Sequence, residues 1–441
     1  MSERMEQVGK RLLRQLTTQG YEAFWVGGCV RDKLLGRPLK DIDIATSATP
    51  DDVMRLFPHS IPTGLQHGTV TVVEERIPYE VTTFRRETDY ADHRRPKSVE
   101  YVSELQEDLN RRDFTINAIA MDADGSIVDP FGGRDDLKRG VLRCVGEAKE
   151  RFEEDALRML RCIRFACEYG LQIEAATWQA LLEHAPLLRY IAMERVQAEL
   201  DKIIGGAGPD LGIRLLGESR LLQHTKEALP WPAAMADGDE PEPGGPSELW
   251  PGPLNVLEGA DLRWAYWLLQ QGVGTEEARE GFSRLRFSSD KTSTITALLR
   301  VEAWMAPQLA EAPAAADAPL REALARAAVR YGADAVRGWL RLLAPGAAAP
   351  PRAGRAPRDA RRHRLHQSGT DWLQAVPATR VGELALGGRD VLAALGRPGG
   401  PWLGRLLDDL LLAVALGRLP NERERLLEAA RQQIERDAHD E

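Results

Sequence analysis

Two carboxylates one residue apart, Asp41 and Asp43, stand in the run Asp41-Ile42-Asp43-Ile44. In an extended chain residues i and i+2 point to the same side. Both carboxylates can then share one site while Ile42 and Ile44 face a buried one. Two acids that close repel each other unless a cation neutralises them, and hard oxygen ligands suit Mg²⁺. Upstream, Gly27 and Gly28 separate the apolar run Ala23 to Val26 from Cys29-Val30-Arg31-Asp32. Paired glycines between a strand and a helix let the backbone approach a ligand closely, and a helix N-terminus favours phosphate. A tight turn would use the same glycines, and solvated acids at a strand end would look like Asp41 and Asp43. Their combination points instead to metal-assisted chemistry on a phosphate. Glu80, in Tyr79-Glu80-Val81, falls on an expected neighbouring strand and is a candidate third carboxylate. The alternative for it is a surface acid on an edge strand.

A second group lies further on. Asp155 and Arg158 are spaced i, i+3, which makes them neighbours on one helix face. Alone, such a pair is an ordinary surface ion pair of little worth. Arg161 and Arg164 continue the series, but at 3.6 residues per turn it drifts by about 60° per step. Arg164 is therefore expected to point away from Asp155. A third group is basic: residues 352–366 hold Arg352, Arg355, Arg358, Arg361, Arg362 and Arg364 with His363 and His366, against Asp359 alone. Read functionally it is a phosphate clamp; read structurally it is a solvated loop.

The elements that must position these groups follow from periodicity. Val8 to Leu16 carries helical spacing. Ala23 to Val26, Asp41 to Ala45, Thr69 to Val73 and Tyr79 to Phe84 read as strands, and Cys29 to Leu35 as a helix. Residues 1–146 are thus expected to form a mixed-sheet α+β domain. Beyond it the strand signal fades, and Glu154 to Glu168, Trp178 to Leu187 and Met193 to Ile204 read as helices. The remainder is expected to be all-α, interrupted by a Pro-rich insert near 229–253 and by Ala/Pro-rich loops at 310–319 and 344–357.

Composition narrows the class. The 441 residues are 43% hydrophobic and 28% charged, enough for sizeable cores. The longest apolar run, Leu410 to Leu416, is far below the roughly 18 residues a membrane span needs. The first residues carry no apolar segment of the kind a cleaved secretion signal needs, so a cytoplasmic protein is expected. Four cysteines (Cys29, Cys144, Cys162, Cys167) without a CxxC pair suggest reduced thiols and no structural zinc. The histidines form no HxxxH or internal His-Asp metal cluster, so no phosphohydrolase domain is expected. The absence of GxxxxGK[ST] argues against a P-loop ATPase. A net charge of −9 does not suggest nucleic acid, but binding needs only a local basic surface.

The run from Gly27-Gly-Cys-Val-Arg-Asp to Asp41-Ile-Asp-Ile-Ala-Thr46 resembles the nucleotidyltransferase motif of the tRNA CCA-adding enzyme and bacterial poly(A) polymerase family. Cys29 departs from it, since Ala is commoner there; both are small. Arg111-Arg-Asp-Phe-Thr-Ile-Asn-Ala118 resembles the family's ribose-recognition motif. Asp129-Pro-Phe-Gly-Gly133 resembles its hinge, and Glu154-Asp-Ala-Leu-Arg-Met-Leu-Arg161 its base-selecting helix. Gly388-Arg-Asp-Val-Leu with Gly399-Gly-Pro-Trp402 resembles the tail of the bacterial CCA-adding branch. The resemblance is dense over 20–205 and looser over 380–425. It implies a nucleotidyltransferase head (1–146), a neck with the base-selecting helix (147–210), a helical body (211–335) and a tail that contacts tRNA (336–441).

The activity it implies is untemplated transfer of CMP and AMP from CTP and ATP to a tRNA 3′ end, with Mg²⁺ held by Asp41 and Asp43 and pyrophosphate released. Gly28 and Arg31 would hold the triphosphate. Arg112 would contact ribose or phosphate, with Asp113 and Asn117 beside it, and Arg161 and Arg164 would also bind nucleotide. Without a template, side chains must choose the base. Cytosine and adenine each present an amine beside an acceptor ring nitrogen; uracil and guanine present a carbonyl beside an N–H. A carboxylate beside a guanidinium, Asp155 with Arg158, matches the first pair and leaves the second with clashing partners. The polar segment Arg85 to Arg95 resembles the flexible loop of full CCA-adding enzymes, which favours completion with A. Arg358, Arg361, Arg362 and Arg364 are the expected tRNA clamp. A poly(A) polymerase or a partial CC- or A-adding enzyme stays open, as does an RNA-binding protein with an inactive head.

Overall fold

A computed structural model describes residues 2–91, 95–231, 250, 252–311, 316–347 and 356–440. Residues 1–229 form one compact unit, and the described residues from Pro230 onward form another.

The first unit is built on strands β1 (Ala23–Val26), β2 (Asp43–Thr46), β3 (Ser60–Gly64), β4 (Thr69–Glu74), β5 (Ile77–Thr83), β6 (Arg85–Ala91), β7 (Arg95–Tyr101), β8 (Ala120–Met121) and β9 (Ile127–Val128). Its helices are α1 (Ser2–Thr18), α2 (Gly28–Leu34), α3 (Pro50–Leu56), α4 (Leu105–Asn110), α5 (Gly133–Arg139), α6 (Ala148–Glu154), α7 (Leu157–Tyr169), α8 (Ala175–His184), α9 (Met193–Gly205) and α10 (Pro209–Ser219). Seven strands form one mixed sheet in the order β3-β4-β5-β2-β1-β8-β9. Its one parallel pair is β2 with β5. Alternation along β2 explains its seat. Ile42 and Ile44 bury beside Val8, Leu12, Trp25, Tyr79 and Val81, under the apolar stripe of α1. Ala45, of opposite parity, belongs to a second cluster with Phe84, Leu105 and Leu109. Asp43 shares the parity of Ala45 and so stands on that side of the sheet.

Two local expectations are corrected. The segment 85–95 was expected to be a loop, but it folds into β6 and β7, an antiparallel hairpin outside the main sheet; residues 92–94 lie outside the described residues. Cross-strand charge replaces an apolar alternation there, with Arg86 bonding Glu100 at 3.2 Å. The single helix expected from Glu154 to Glu168 is two helices. Asp155 stands in the break, extended at φ −141° and ψ 103°. Its carboxylate accepts the Leu157 N–H at 3.1 Å, a capping bond that draws Asp out of a helix interior. Asp155 and Arg158 therefore do not share a helix face.

The second unit is helical. Helices Ala260–Gln270, Thr275–Arg284 and Ser289–Glu311 gather an aromatic core, where Trp264 meets Trp267, Phe282 and Phe287 edge-on at 5.3, 5.5 and 5.3 Å. Most of the Pro-rich insert, 232–249 and 251, lies outside the described residues.

The basic stretch lands on helix Ala356–Gln374, with Arg352 and Arg355 outside the described residues and the Arg358 side chain also outside them. Arg361 is 6% exposed, and its Nη2 lies 3.5 Å from the Ala310 carbonyl. Arg362 pairs with Glu302 at 2.7 Å and lies 4.2 Å from the Trp250 ring centroid. Glu302 also accepts the Trp339 Nε1–H at 2.8 Å. Arg364 pairs with Asp317 at 3.0 Å. The expected clamp is corrected for Arg361 and Arg362, whose guanidinium groups serve the interior of this unit. Arg362→Gln removes the buried cation facing Glu302 and is expected to cost about 2–4 kcal/mol. Thermal melting would show it as a lowered midpoint, with the salt dependence of tRNA binding unchanged. A flattened salt slope at an unchanged midpoint would restore the clamp.

Candidate active site

The turn between β1 and α2 enters the site first. Gly27 has φ +73°, a conformation that strains other residues, and Arg112 Nη1 would stand 2.8 Å from a Cβ there and have to shift. Gly28 has no such need; it opens α2 with bare backbone facing the cleft. One turn on, Arg31 is 5% exposed. Its Nε donates to Asp32 at 3.0 Å and its Nη1 to Asn117 Oδ1 at 2.5 Å.

Asp43, at the start of β2, lies in register with Glu80 on the parallel neighbour β5. Asp41 is exposed just ahead of the strand. Burial, then the charges of Asp41 and Glu80, push the Asp43 carboxyl up to about 6, while Arg112 pulls it the other way. The carboxylates thus crowd a place short of positive charge. That donor set fits a hard divalent cation. Among the described residues no group of three or more His, Cys, Asp or Glu converges as a ready-made metal cluster. An ion here would take Asp41 and Asp43 and fill its shell from phosphate oxygens and water, the usual arrangement for Mg²⁺. Glu80 acts on Asp43 through charge and does not line the cleft.

The segment after α4 builds the next wall. Arg112 donates from Nη2 to Asp108 at 3.2 Å and from Nη1 to the Asn117 carbonyl at 3.4 Å, and its Nε is buried without a hydrogen bond. Asp113 accepts from Asn117 Nδ2 at 3.0 Å and from Arg161 at 2.8 and 2.6 Å. Burial alone would raise the Asp113 carboxyl, but Arg161, Asn117 and Arg158 hold it well below the carboxylate range. Asp113 is therefore an ionised brace between the head and α7.

The break before α7 sets the last wall. Asp155 is gripped by Arg195 of α9 through two bonds, at 3.2 and 2.7 Å. Arg158 bonds Glu154 at 2.5 Å and the Arg111 carbonyl at 2.8 Å. Arg164 turns to Glu199 at 2.5 Å; with Asp155 outside α7, the helical drift expected between them does not apply, and both line the cleft. The structure gathers Gly28, Arg31, Asp41, Asp43, Arg112, Asp155, Arg158, Arg161 and Arg164 around one cleft of about 1230 Å³. Sequence reading missed the partners Arg195 and Glu199. They sit four apart on the helix expected at Met193 to Ile204, but nothing local showed what they face. Glu154 was findable, four residues before Arg158.

Comparisons with known proteins agree along the chain. A family model described as the Poly A polymerase head domain matches residues 23–143, and one described as tRNA nucleotidyltransferase domain 2 matches 361–430. The CCA-adding enzyme of Geobacillus stearothermophilus is 40% identical over 422 residues, 94% of either chain. That of Limosilactobacillus fermentum is 36% identical over 419 residues, 95% of either chain. The crystal structure of the Bacillus stearothermophilus CCA-adding enzyme in complex with CTP has a TM-score of 0.78 at 34% identity, covering 98% of both chains. A Thermotoga maritima CCA-adding enzyme complexed with tRNA shares the fold, with a TM-score of 0.63 at 21% identity over 97% of this chain and 95% of that one. Likeness of this degree runs through both units rather than through the head alone, and the chain belongs to the family of CCA-adding enzymes.

Proposed function

We propose that this chain builds and repairs the 3′-terminal CCA of tRNA, using CTP and ATP and releasing pyrophosphate. The observation that carries this reading is a carboxylate and a guanidinium, Asp155 and Arg158, in the same cleft as the Asp41 and Asp43 pair. One set can read a base edge while the other serves the phosphate of the same nucleotide. Nucleotidyltransferases of this family generally need divalent metal ions, and here Asp41 and Asp43 would hold Mg²⁺. When bound, it supplies charge stabilisation at the attacking and leaving oxygens. Gly28 leaves room for the triphosphate and Arg31 offers it a fixed cation. Arg112 stands beside Asp43, where ribose or the α-phosphate would lie. Arg161 and Arg164, each anchored to a carboxylate, keep α7 in place beside the base. No helix of the described residues is long and apolar enough to cross a membrane, and we assign the chain to the cytoplasm, where tRNA is matured. We keep the division into head, neck, body and tail as part of this reading.

The test is incubation of tRNA lacking CCA with Mg²⁺ and each labelled nucleotide. Ordered addition of C, C and A, then arrest, is expected. A run of A would favour poly(A) polymerase, and arrest after CC or a requirement for a CC end would favour a partial enzyme. tRNA binding without incorporation would leave an RNA-binding protein.

A further inference from the structure

Helix α7 carries base-reading chemistry at its first turn, yet its other end reaches the opposite part of the same nucleotide site. Tyr169, the last residue of α7, is half-buried, and its hydroxyl donates to Asp32 Oδ1 at 3.1 Å. Asp32 Oδ1 also takes the Arg31 Nε at 3.0 Å. The Arg31 guanidinium carbon lies 4.3 Å from the Tyr169 ring centroid, and that of Arg37 lies 4.5 Å from it. Arg37 further donates to the Glu168 carbonyl at 3.3 Å, at the end of the same helix. The tyrosine therefore holds Arg31 twice, through its ring face and through a shared carboxylate.

We propose that Tyr169 is a positioning residue for the triphosphate site, and that α7 acts as a spacer pinned at both ends of the bound nucleotide. Arg158 and Tyr169 are eleven residues apart, roughly 16 Å along the helix axis at 1.5 Å per residue. The helix thereby fixes how far the base-reading groups stand from the cation that meets the phosphates. This rests on the reading of the cleft as a nucleotide site. An arginine stacked on an aromatic face and forked onto a carboxylate has few orientations left. Arg31 can then present its remaining donor valence to phosphate without first being ordered, which lowers the cost of binding. Tyr169 lines the same cleft, but its ring is turned to Arg31 and its hydroxyl to Asp32, so its effect passes through Arg31. Its effect should fall on every ligand that carries the phosphates and spare the choice of base.

The experiment uses the full chain with tRNA lacking CCA, and measures KM and kcat for CTP and ATP together with inhibition by inorganic pyrophosphate. Tyr169→Phe keeps the ring and removes the bond to Asp32; Tyr169→Ala removes both holds. KM for both nucleotides should rise about threefold in the first and about tenfold or more in the second. The inhibition constant for pyrophosphate should rise in the same proportion. The preference for CTP over UTP should not move, and kcat should stay within about twofold. Unchanged KM and pyrophosphate inhibition would overturn the proposal. So would a fall in kcat and melting temperature with both constants intact, because a purely structural tyrosine gives that pattern. Failure of the wild-type chain to incorporate CMP or AMP would instead overturn the nucleotide-site reading, before any variant is compared.

Discussion

Asp43→Asn is expected to abolish nucleotide transfer and, at the same time, to make the metal-free protein more stable. Losing one of the two carboxylates that would hold the cation removes several kcal/mol of charge stabilisation, so CMP and AMP incorporation should fall by about 10³-fold. Stability should move the other way because the carboxylate is unfavourable where it sits. No side-chain hydrogen bond or ion pair to Asp43 occurs among the described residues, and burial with Asp41 and Glu80 nearby raises its carboxyl from 3.8 to about 6. The folded chain holds that proton more tightly than the unfolded chain does. The stability tied to it is thus fully present below about pH 4 and is lost as pH rises through about 6. Asn mimics the protonated form. Variant and wild type should melt together near pH 4 and separate above pH 6, with the variant ahead by on the order of 1–2 kcal/mol once solvent screening is allowed for. Saturating Mg²⁺ should close or reverse the gap, since the ion stabilises only the chain that binds it. Melting curves from pH 4 to 8, with chelator and with Mg²⁺, measure this. A variant that melts lower than wild type at pH 7.5 in chelator would mean that the Asp43 carboxylate serves the fold rather than a metal.

The legible part of this molecule was the part written at short range. The period of two placed Asp41 and Asp43 on one side of a strand and Ile42 and Ile44 on the other, and the structure buries both isoleucines beside α1. Glu80 was read as standing on a neighbouring strand, and the parallel pairing of β2 with β5 sets it opposite Asp43. The break at Asp155 was hidden because Phe152, Ala156, Leu160 and Ile163, all buried, continue a helical apolar pattern across it. The capping power of Asp left no periodic trace. The hairpin of β6 and β7 was read as loop because its residues are polar, and its cross-strand pairing through Arg86 and Glu100 is not a pattern within either strand. Charge was the hardest to read. A run of arginines looks solvated until its partners are known, and the partner of Arg362 is sixty residues upstream. The same holds for Arg195 and Asp155, forty residues apart. Local sequence states which residues are charged; only the packing of helices states which charges meet.

Asp155→Asn is expected to change which nucleotides the chain accepts, with a smaller effect on how fast it works. The carboxylate has two duties, and the substitution separates them. Its first duty is to cap α7 through the Leu157 N–H, and Asn caps helices about as well as Asp, so the start of the helix should survive. Its second is to present acceptors. Arg195 donates to both oxygens, at 3.2 and 2.7 Å, which fixes the plane of the group; with Oδ1 also taking the Leu157 N–H, one acceptor site remains, on Oδ2. An amide that keeps the cap and the Arg195 Nη1 bond through its oxygen puts its NH₂ in place of Oδ2, where the Arg195 Nη2 bond is lost because two donors cannot bond each other. The edge once complementary to the amine of cytosine or adenine then offers a donor, which suits the carbonyl of uracil or guanine. Discrimination of CTP over UTP, and of ATP over GTP, should fall by about 10- to 100-fold, the equivalent of one mismatched polar contact of roughly 1–3 kcal/mol. Competition among the four triphosphates on tRNA lacking CCA reads this directly. Arg158→Leu makes a contrasting arm. It removes the donor that this reading sets against the ring nitrogen, so it should slow C and A addition without opening the site to U and G. Should all four nucleotides slow in parallel in Asp155→Asn, the residue is a helix cap and nothing more, and base choice must be sought elsewhere on the cleft wall.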